Sequence, residues 1–305
     1  MHLHRLGIFF TRITGVLVLM NTGAAFAQQL EPRAYAASPI DINITGIAST
    51  YSSGDVAIDP TVPITDAEAD VVLIAPYYAR SFAVFDRQAS VSLVFPMANI
   101  DGTGVFKGED DEVDIIGLGD PILRVAVNLL GSPALKIKEF AVRERETILG
   151  ASISIVAPWG DYDGSKLVNL GANRWAFKPE LGLSHPIGKW DLELYAGAWL
   201  FEDNDNFYGG QTREMEPLYS TQTHVVYRFK PGMWASFDFT YFTGGTTIVD
   251  GTRKNDRRDN SRAGLTLSLP VAKQHAIKLS WSRGVTVRVG NDFDMVGASW
   301  SYAWF

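Results

Sequence analysis

The closing run Gly297-Ala298-Ser299-Trp300-Ser301-Tyr302-Ala303-Trp304-Phe305 alternates strictly, with Ala298, Trp300, Tyr302 and Trp304 on one parity. Successive side chains of a β-strand point to opposite faces, so these residues form one continuous apolar face. A strand finishing on an aromatic ring is the expected ending of an outer-membrane barrel, which makes Phe305 and Trp304 candidates for an assembly signal. The usual pattern puts a second apolar ring two positions earlier on the same face. Here that position is Ala303 and the aromatic face is out of phase with Phe305, so the ring that is read is Phe305 or Trp304.

The other end of the chain agrees. Arg5 and Arg12 precede an apolar run over 13–20, and Ala25-Phe26-Ala27 offers a cleavage site before Gln28. The run is shorter than the ~20 residues a membrane-spanning helix needs, so residues 1–27 are expected to be a removable signal peptide. Losing Arg5 and Arg12 takes the net charge from −7 to −9. That acidity argues against nucleic acid as a partner. No cysteine is present, so an exported fold must be held by something other than disulfides, such as a closed hydrogen-bond ladder in lipid.

Period-two patterning recurs along nearly the whole chain. Ala89, Val91, Leu93 and Phe95 oppose Ser90 and Ser92; Leu192, Leu194, Ala196, Ala198 and Leu200 oppose Asp191, Glu193 and Tyr195; Ala263, Leu265, Leu267 and Leu269 oppose Arg262, Thr266 and Ser268. The spacing predicts strands near 40–51, 70–80, 88–98, 115–130, 147–158, 174–185, 189–201, 217–229, 233–244, 261–270, 274–284 and 293–305. Twelve is an even number, and most of these segments are near the ~9 to 11 residues with which a tilted strand crosses hydrocarbon.

Short links at 185–189, 230–232 and 270–273 alternate with long polar ones at 52–69, 99–114, 159–173, 202–216 and 245–260, as periplasmic turns and extracellular loops do. The link 131–146 is long on the turn side and reads either as a short surface helix or as extended strand ends. Tyr77, Tyr78, Trp159, Trp175, Phe177, Trp190, Trp199, Phe201, Trp234, Tyr241 and Phe242 cluster at strand ends, as interfacial aromatic girdles do. A soluble β-sandwich or lipocalin-like barrel would share the strand pattern.

The expected fold is therefore an all-β, antiparallel up-and-down transmembrane barrel of about twelve strands over 40–305, preceded by a short periplasmic segment at 28–39. Parity turns Asp41, Asn43, Arg124, Asn128, Lys178, Glu180, Asp191, Glu193, Gln222, His224, Arg228, Asp238, Arg262 and Lys278 toward the lumen. Lys or Arg facing mid-bilayer lipid costs ~2 to 4 kcal/mol, so these groups either line a hydrated channel or pair across it and close it. Gly182, Gly197, Gly264 and Gly297 share the inward parity, either widening the bore or marking bends.

Little in the sequence points to catalysis or metal binding. Outside the signal the histidines are His185, His224 and His275, and none belongs to a recognisable catalytic or metal motif. A lipid-acting barrel enzyme would need a serine beside a histidine, and Ser220 and His224 are roughly 13 Å apart along one strand. The runs 109–112, 161–163 and 202–206 carry the oxygen ligands calcium prefers, but lack an EF-hand's glycine and distal glutamate, and read as solvated loops. No cofactor or metal is expected.

Several runs resemble the outer-membrane family named for the MetA pathway of phenol degradation. They are Leu30-Glu31-Pro32-Arg33-Ala34-Tyr35, Gly117-Leu118-Gly119-Asp120-Pro121, Gly131-Ser132-Pro133-Ala134-Leu135, and Asn169 to Trp175 leading into Phe177-Lys178-Pro179-Glu180-Leu181-Gly182. Asn206 to Gly210, Tyr241 to Gly245 and Asn291-Asp292-Phe293 also fit. The resemblance implies an outer-membrane barrel of the transporter type and brings no catalytic residues. The expectation is a channel for passive uptake of small, aromatic or hydrophobic compounds, with outer-membrane lipid, lipopolysaccharide and the barrel assembly machinery as partners. The alternatives are a non-conducting structural or surface-binding barrel and, third, the lipid-acting enzyme.

Overall fold

The structure, a computed structural model, describes residues 30–57, 64–106 and 109–305. The signal peptide expected at 1–27 lies outside the described residues. The chain forms β1 (Asn43–Ala57), β2 (Ile64–Val84), β3 (Arg87–Val94), β4 (Met97–Phe106), β5 (Glu109–Leu118), β6 (Ile122–Leu130), β7 (Ile148–Val156), β8 (Ala176–Ile187) and β9 (Trp190–Phe201). It continues with β10 (Asn204–Phe207), β11 (Gln211–Met215), β12 (Leu218–Lys230), β13 (Met233–Gly244), β14 (Thr247–Val249), β15 (Thr252–Arg253), β16 (Arg258–Ala272), β17 (His275–Thr286) and β18 (Gly290–Trp304).

Fourteen of these form one antiparallel sheet, closed because β1 pairs with both β2 and β18. Two barrel staves are broken. Phe95-Pro96 separates β3 from β4, and Gly119-Asp120-Pro121 separates β5 from β6. Proline cannot donate to a ladder, so each pair is one stave interrupted at its proline. Counted this way the barrel has twelve staves, at the places the alternation predicts. Residues 52–69 and 99–114, expected as loops, largely continue as paired strand in β1, β2, β4 and β5. Four small strands in two long connections, β10, β11, β14 and β15, make a separate sheet at that end.

The opposite end has tight turns, where Gly188 and Gly232 take φ of +57° and +75°, a region that disfavours side chains. The long link there contains one helical turn at Ile137–Phe140, with the Glu139 side chain accepting from the Lys136 N–H at 3.0 Å. These are called the loop end and the turn end below.

The outer face is apolar: Ile47, Leu93, Leu181, Leu192, Leu194, Phe237, Leu265, Trp281 and Trp300 are all exposed. Trp159, Trp175, Trp190 and Tyr241 stand near the rims as expected. Tyr77, Trp199, Phe201, Trp234 and Phe242 instead point inward. Proximity to a strand end does not set the face; parity does, and Trp199 shares the parity of Asp191 and Glu193. Asn43 is a second correction. It takes the outward parity of Ile47 and Tyr51 and accepts a hydrogen bond from the Tyr78 hydroxyl at 2.8 Å, while Asp41 is exposed in the turn before β1. Pairing ends at Trp304, which stacks on Tyr302, and Phe305 is 72% exposed one residue beyond.

A charge on the lipid face should separate these two surfaces. Leu194→Arg is expected to lower stability by about 2 to 4 kcal/mol in vesicles. Ser280→Asp, in the interior lining that also contains Lys278, should change it by about 0.5 kcal/mol or less; urea titrations of both variants measure the difference.

Candidate functional site

The interior changes character along the barrel axis. Toward the loop end it is apolar. Val56, Ala69, Ala98, Ile100 and Phe293 pack with Val168 and Leu170, which the 157–175 connection folds inward. Across the bore, Val156, Ala176, Trp199, Leu218 and Phe242 form a second cluster. Toward the turn end it is polar, and the sequence-predicted lumen residues meet there.

Asp191 is the centre of that polar half. Its carboxylate receives Arg33 at 3.1 Å and Arg228 at 3.3 Å, and is also paired with Arg145. Lys178 contacts Glu180 at 2.5 Å. His224 Nδ1 lies 2.8 Å from Asp238 Oδ1, and the Thr266 hydroxyl donates to Asp238 Oδ2 at 2.7 Å. Arg262 donates to the Phe293 carbonyl at 2.8 Å. A charge buried without a partner is costly, which explains why inward charges of both signs occur in contact. Of the predicted cations, Arg124, Arg262 and Lys278 have no carboxylate within ion-pair distance among the described residues; Arg262 is held instead by Ser282 and the Phe293 carbonyl.

The segment 30–39, expected as a short periplasmic lead into the barrel, packs inside it. Tyr35 is 1% exposed; its hydroxyl donates to Glu180 Oε1 at 3.1 Å and lies 2.8 Å from Ser152 Oγ. The Arg33 N–H donates to Glu193 Oε2 at 2.7 Å and the Glu31 N–H to Gln222 Oε1 at 3.1 Å. Asn128 donates to the Tyr35 carbonyl at 3.3 Å, and Gln88 accepts from the Ser38 N–H at 2.9 Å. The segment thus adds partners to strand-borne polar groups that also pair with one another.

Glycines make the room. A Cβ at Gly182 would lie 2.1 Å from Tyr35 Cδ2, one at Gly150 would lie 2.2 Å from Tyr35 Cδ1, and one at Gly264 would lie 2.6 Å from a Leu30 methyl. Neither a wider bore nor a bend accounts for Gly182 and Gly264; they seat the N-terminal segment. Tyr35, Gly150 and Gln88 are the residues the lumen prediction lacked. Gln88 shares the inward parity of Ser90 and Ser92, and Tyr35 lies in a family-like run, but neither signal says that the segment turns back into the barrel.

Above the segment lies a cavity of about 480 Å³. Its lining includes Val71, Leu73, Ala75, Val94, Ala98, Ile100, Phe293 and Met295, several serines and threonines, and the cations Arg124, Lys178 and Lys278. A smaller hollow of about 200 Å³ lies against Tyr35, Gln88 and Asn128. The wall beside the large cavity contains a seam. β5 pairs with β4, but its other edge has no strand partner among the described residues. The 157–175 connection covers the base of that edge, with the Asp161 N–H donating to the Leu118 carbonyl at 2.8 Å and the Leu118 N–H to Asp161 Oδ2 at 2.7 Å.

The remaining candidates have structural partners. His185 hydrogen-bonds Thr147 at 2.7 Å and His275 packs on Trp300 and Tyr302. Asp163 accepts from Ser165, which holds its carboxyl below the usual range. At the loop end Arg174 lies over the Phe201 ring and Arg213 over Phe207. Burial, reinforced by neighbouring Arg213 and Arg258, pushes Arg174 down to about 9.

A closed twelve-stave barrel with a lipid-compatible exterior, an occupied polar floor and an apolar inner chamber is a membrane β-barrel of the outer-membrane type. The chain belongs to the MetA-pathway of phenol degradation family, whose model matches residues 49–302. Among solved structures it is similar to an outer-membrane channel from Pseudomonas putida F1, with a TM-score of 0.77 and 21% identity, covering 90% of this chain and 100% of that one. The β domain of the Bordetella autotransporter BrkA follows at a TM-score of 0.52 and 11% identity, covering 87% and 100%. The transport unit of the Escherichia coli autotransporter AIDA-I gives 0.51 and 10%, covering 93% and 97%. No curated protein matches the chain.

If the glycine seat holds the segment, Gly182→Val should expel Tyr35 and open the floor. Single-channel recording in planar bilayers should then show a conductance several-fold above that of the parent. Unchanged conductance, with heat-modifiable gel migration confirming a folded barrel, would remove the seat from the explanation.

Proposed function

We propose that the protein is a channel of the Gram-negative outer membrane for passive uptake of small, largely apolar compounds, aromatic ones included. The observation that carries this reading is the apolar inner wall. A pore for ions and sugars presents water-binding groups along its length, whereas here Val71, Leu73, Ile100, Phe293 and Met295 line a chamber of about 480 Å³, within the ~300 to 1,000 Å³ typical of small-molecule sites. Membership of a family named for phenol degradation and the resemblance to a bacterial outer-membrane channel support it.

In this reading the turn end faces the periplasm and the loop end the exterior. The axial floor is closed to hydrated ions by residues 30–39, while an apolar solute has a second way out at the seam beside β5, into lipid. The floor also supports the competing reading of a non-conducting barrel. Catalysis is not part of the proposal. The buried His224–Asp238 pair, joined by the Thr266 hydroxyl, is read as holding the bore. Lipopolysaccharide would surround the loop end, and the assembly machinery would read the terminal rings.

Purified protein in liposomes is expected to speed entry of phenol or toluene while conducting ions poorly, and deleting residues 30–39 should raise ionic conductance. Ion conductance like that of a general porin, or no acceleration of either aromatic, would overturn the proposal. Deleting Phe305 should lower folded yield more than Ser301→Ala, read by heat-modifiable migration; equal yields would shift the signal to Trp304.

A further inference from the structure

The lining of the cavity is mixed: aliphatic and aromatic side chains from β2, β4 and β18, serines and threonines, and three cations. Arg124, Lys178 and Lys278 face it from β6, β8 and β17, and Glu31 is the one acidic residue in its lining. Lys178 is occupied by Glu180 at 2.5 Å. Arg124 lies with its guanidinium carbon 5.0 Å above the Tyr35 ring, and its Nη2 is buried without a hydrogen-bond partner. Lys278 is exposed and makes no ion pair with Glu31 or Asp238. Two cations without a carboxylate partner therefore line a chamber whose apolar side chains come from the neighbouring strands β2, β4 and β18.

A cation without a carboxylate partner attracts an anion most strongly where little water screens it, and a guanidinium matches a carboxylate in shape and charge. We infer that the chamber is a binding site for amphipathic anions, small molecules with an aromatic or aliphatic body and one carboxylate. The body lies against Val71, Leu73, Ile100, Phe293 and Met295, and the carboxylate is held by Arg124 or Lys278. This rests on the reading that the chamber carries apolar solutes and adds a head-group preference to it. A purely hydrocarbon solute packs on the apolar side chains and leaves both cations unpaired; a carboxylate satisfies one of them at no cost to the packing.

Benzoate and its neutral isostere benzamide test the inference, titrated by calorimetry into the full-length protein in nanodiscs. Benzoate is expected to bind at least about tenfold more tightly, the effect of one charge-assisted hydrogen bond. Arg124→Gln or Lys278→Gln should reduce that preference, and the double Gln variant should abolish most of it. Arg124→Lys should keep part of it, which a merely structural role for the arginine would not produce. Equal binding of the two probes by the parent, or a preference that survives the double Gln variant, overturns the anion site and leaves the apolar channel standing. Failure of both probes to bind, together with no acceleration of toluene, removes the channel reading as well.

Discussion

Hydrocarbon offers no hydrogen-bond partners, so every backbone N–H and C=O within it must be satisfied by the chain itself. The ladder between β1 and β18, running from Asn43 opposite Trp304 to Ala57 opposite Gly290, meets this demand by removing the two edges an open sheet would leave. Closure fixes the rest. Once the sheet is a tube, alternation divides residues between lipid and bore, and every charge must go to the bore. The bore then becomes a confined space in which charges of both signs have to find one another.

Two solutions to that confinement are visible. On the turn-end half, carboxylates meet guanidinium groups from the strands and from a segment that the chain folds back into its own interior. On the loop-end half the inward parity of β2, β4 and β18 is mostly aliphatic or aromatic, and the buried Arg174 and Arg213 lie over the rings of Phe201 and Phe207. Glycine ties the halves together: the absent side chains at Gly150 and Gly182 let Tyr35 lie against the wall, and Tyr35 in turn carries the hydrogen bonds to Ser152 and Glu180.

The strand count was legible in the sequence because a two-faced environment imposes a period of two, and Leu192 to Leu200 or Ala263 to Leu269 could hardly be read otherwise. The same parity placed Arg124, Glu180, Asp191, Glu193, His224 and Asp238 inside. It fails at Asn43, which lies on the outward parity of Ile47 and Tyr51, and closeness to a rim fails at Trp199 and Phe242, whose phase turns them inward. Residues 30–39 were unreadable for a different reason. They carry no periodicity, and their position depends on glycines and carboxylates more than a hundred residues away. Which inward charges pair is likewise a matter of distance across the tube, which no local pattern records.

The small sheet at the loop end joins two connections that are far apart in sequence, since β11 pairs with β14 through Arg213 to Val249 and Met215 to Thr247. Those connections are thereby one folded object. An antibody, a phage fibre or a protease arriving at that end meets a conformational surface, so a peptide copied from either connection alone reproduces only half of what is presented.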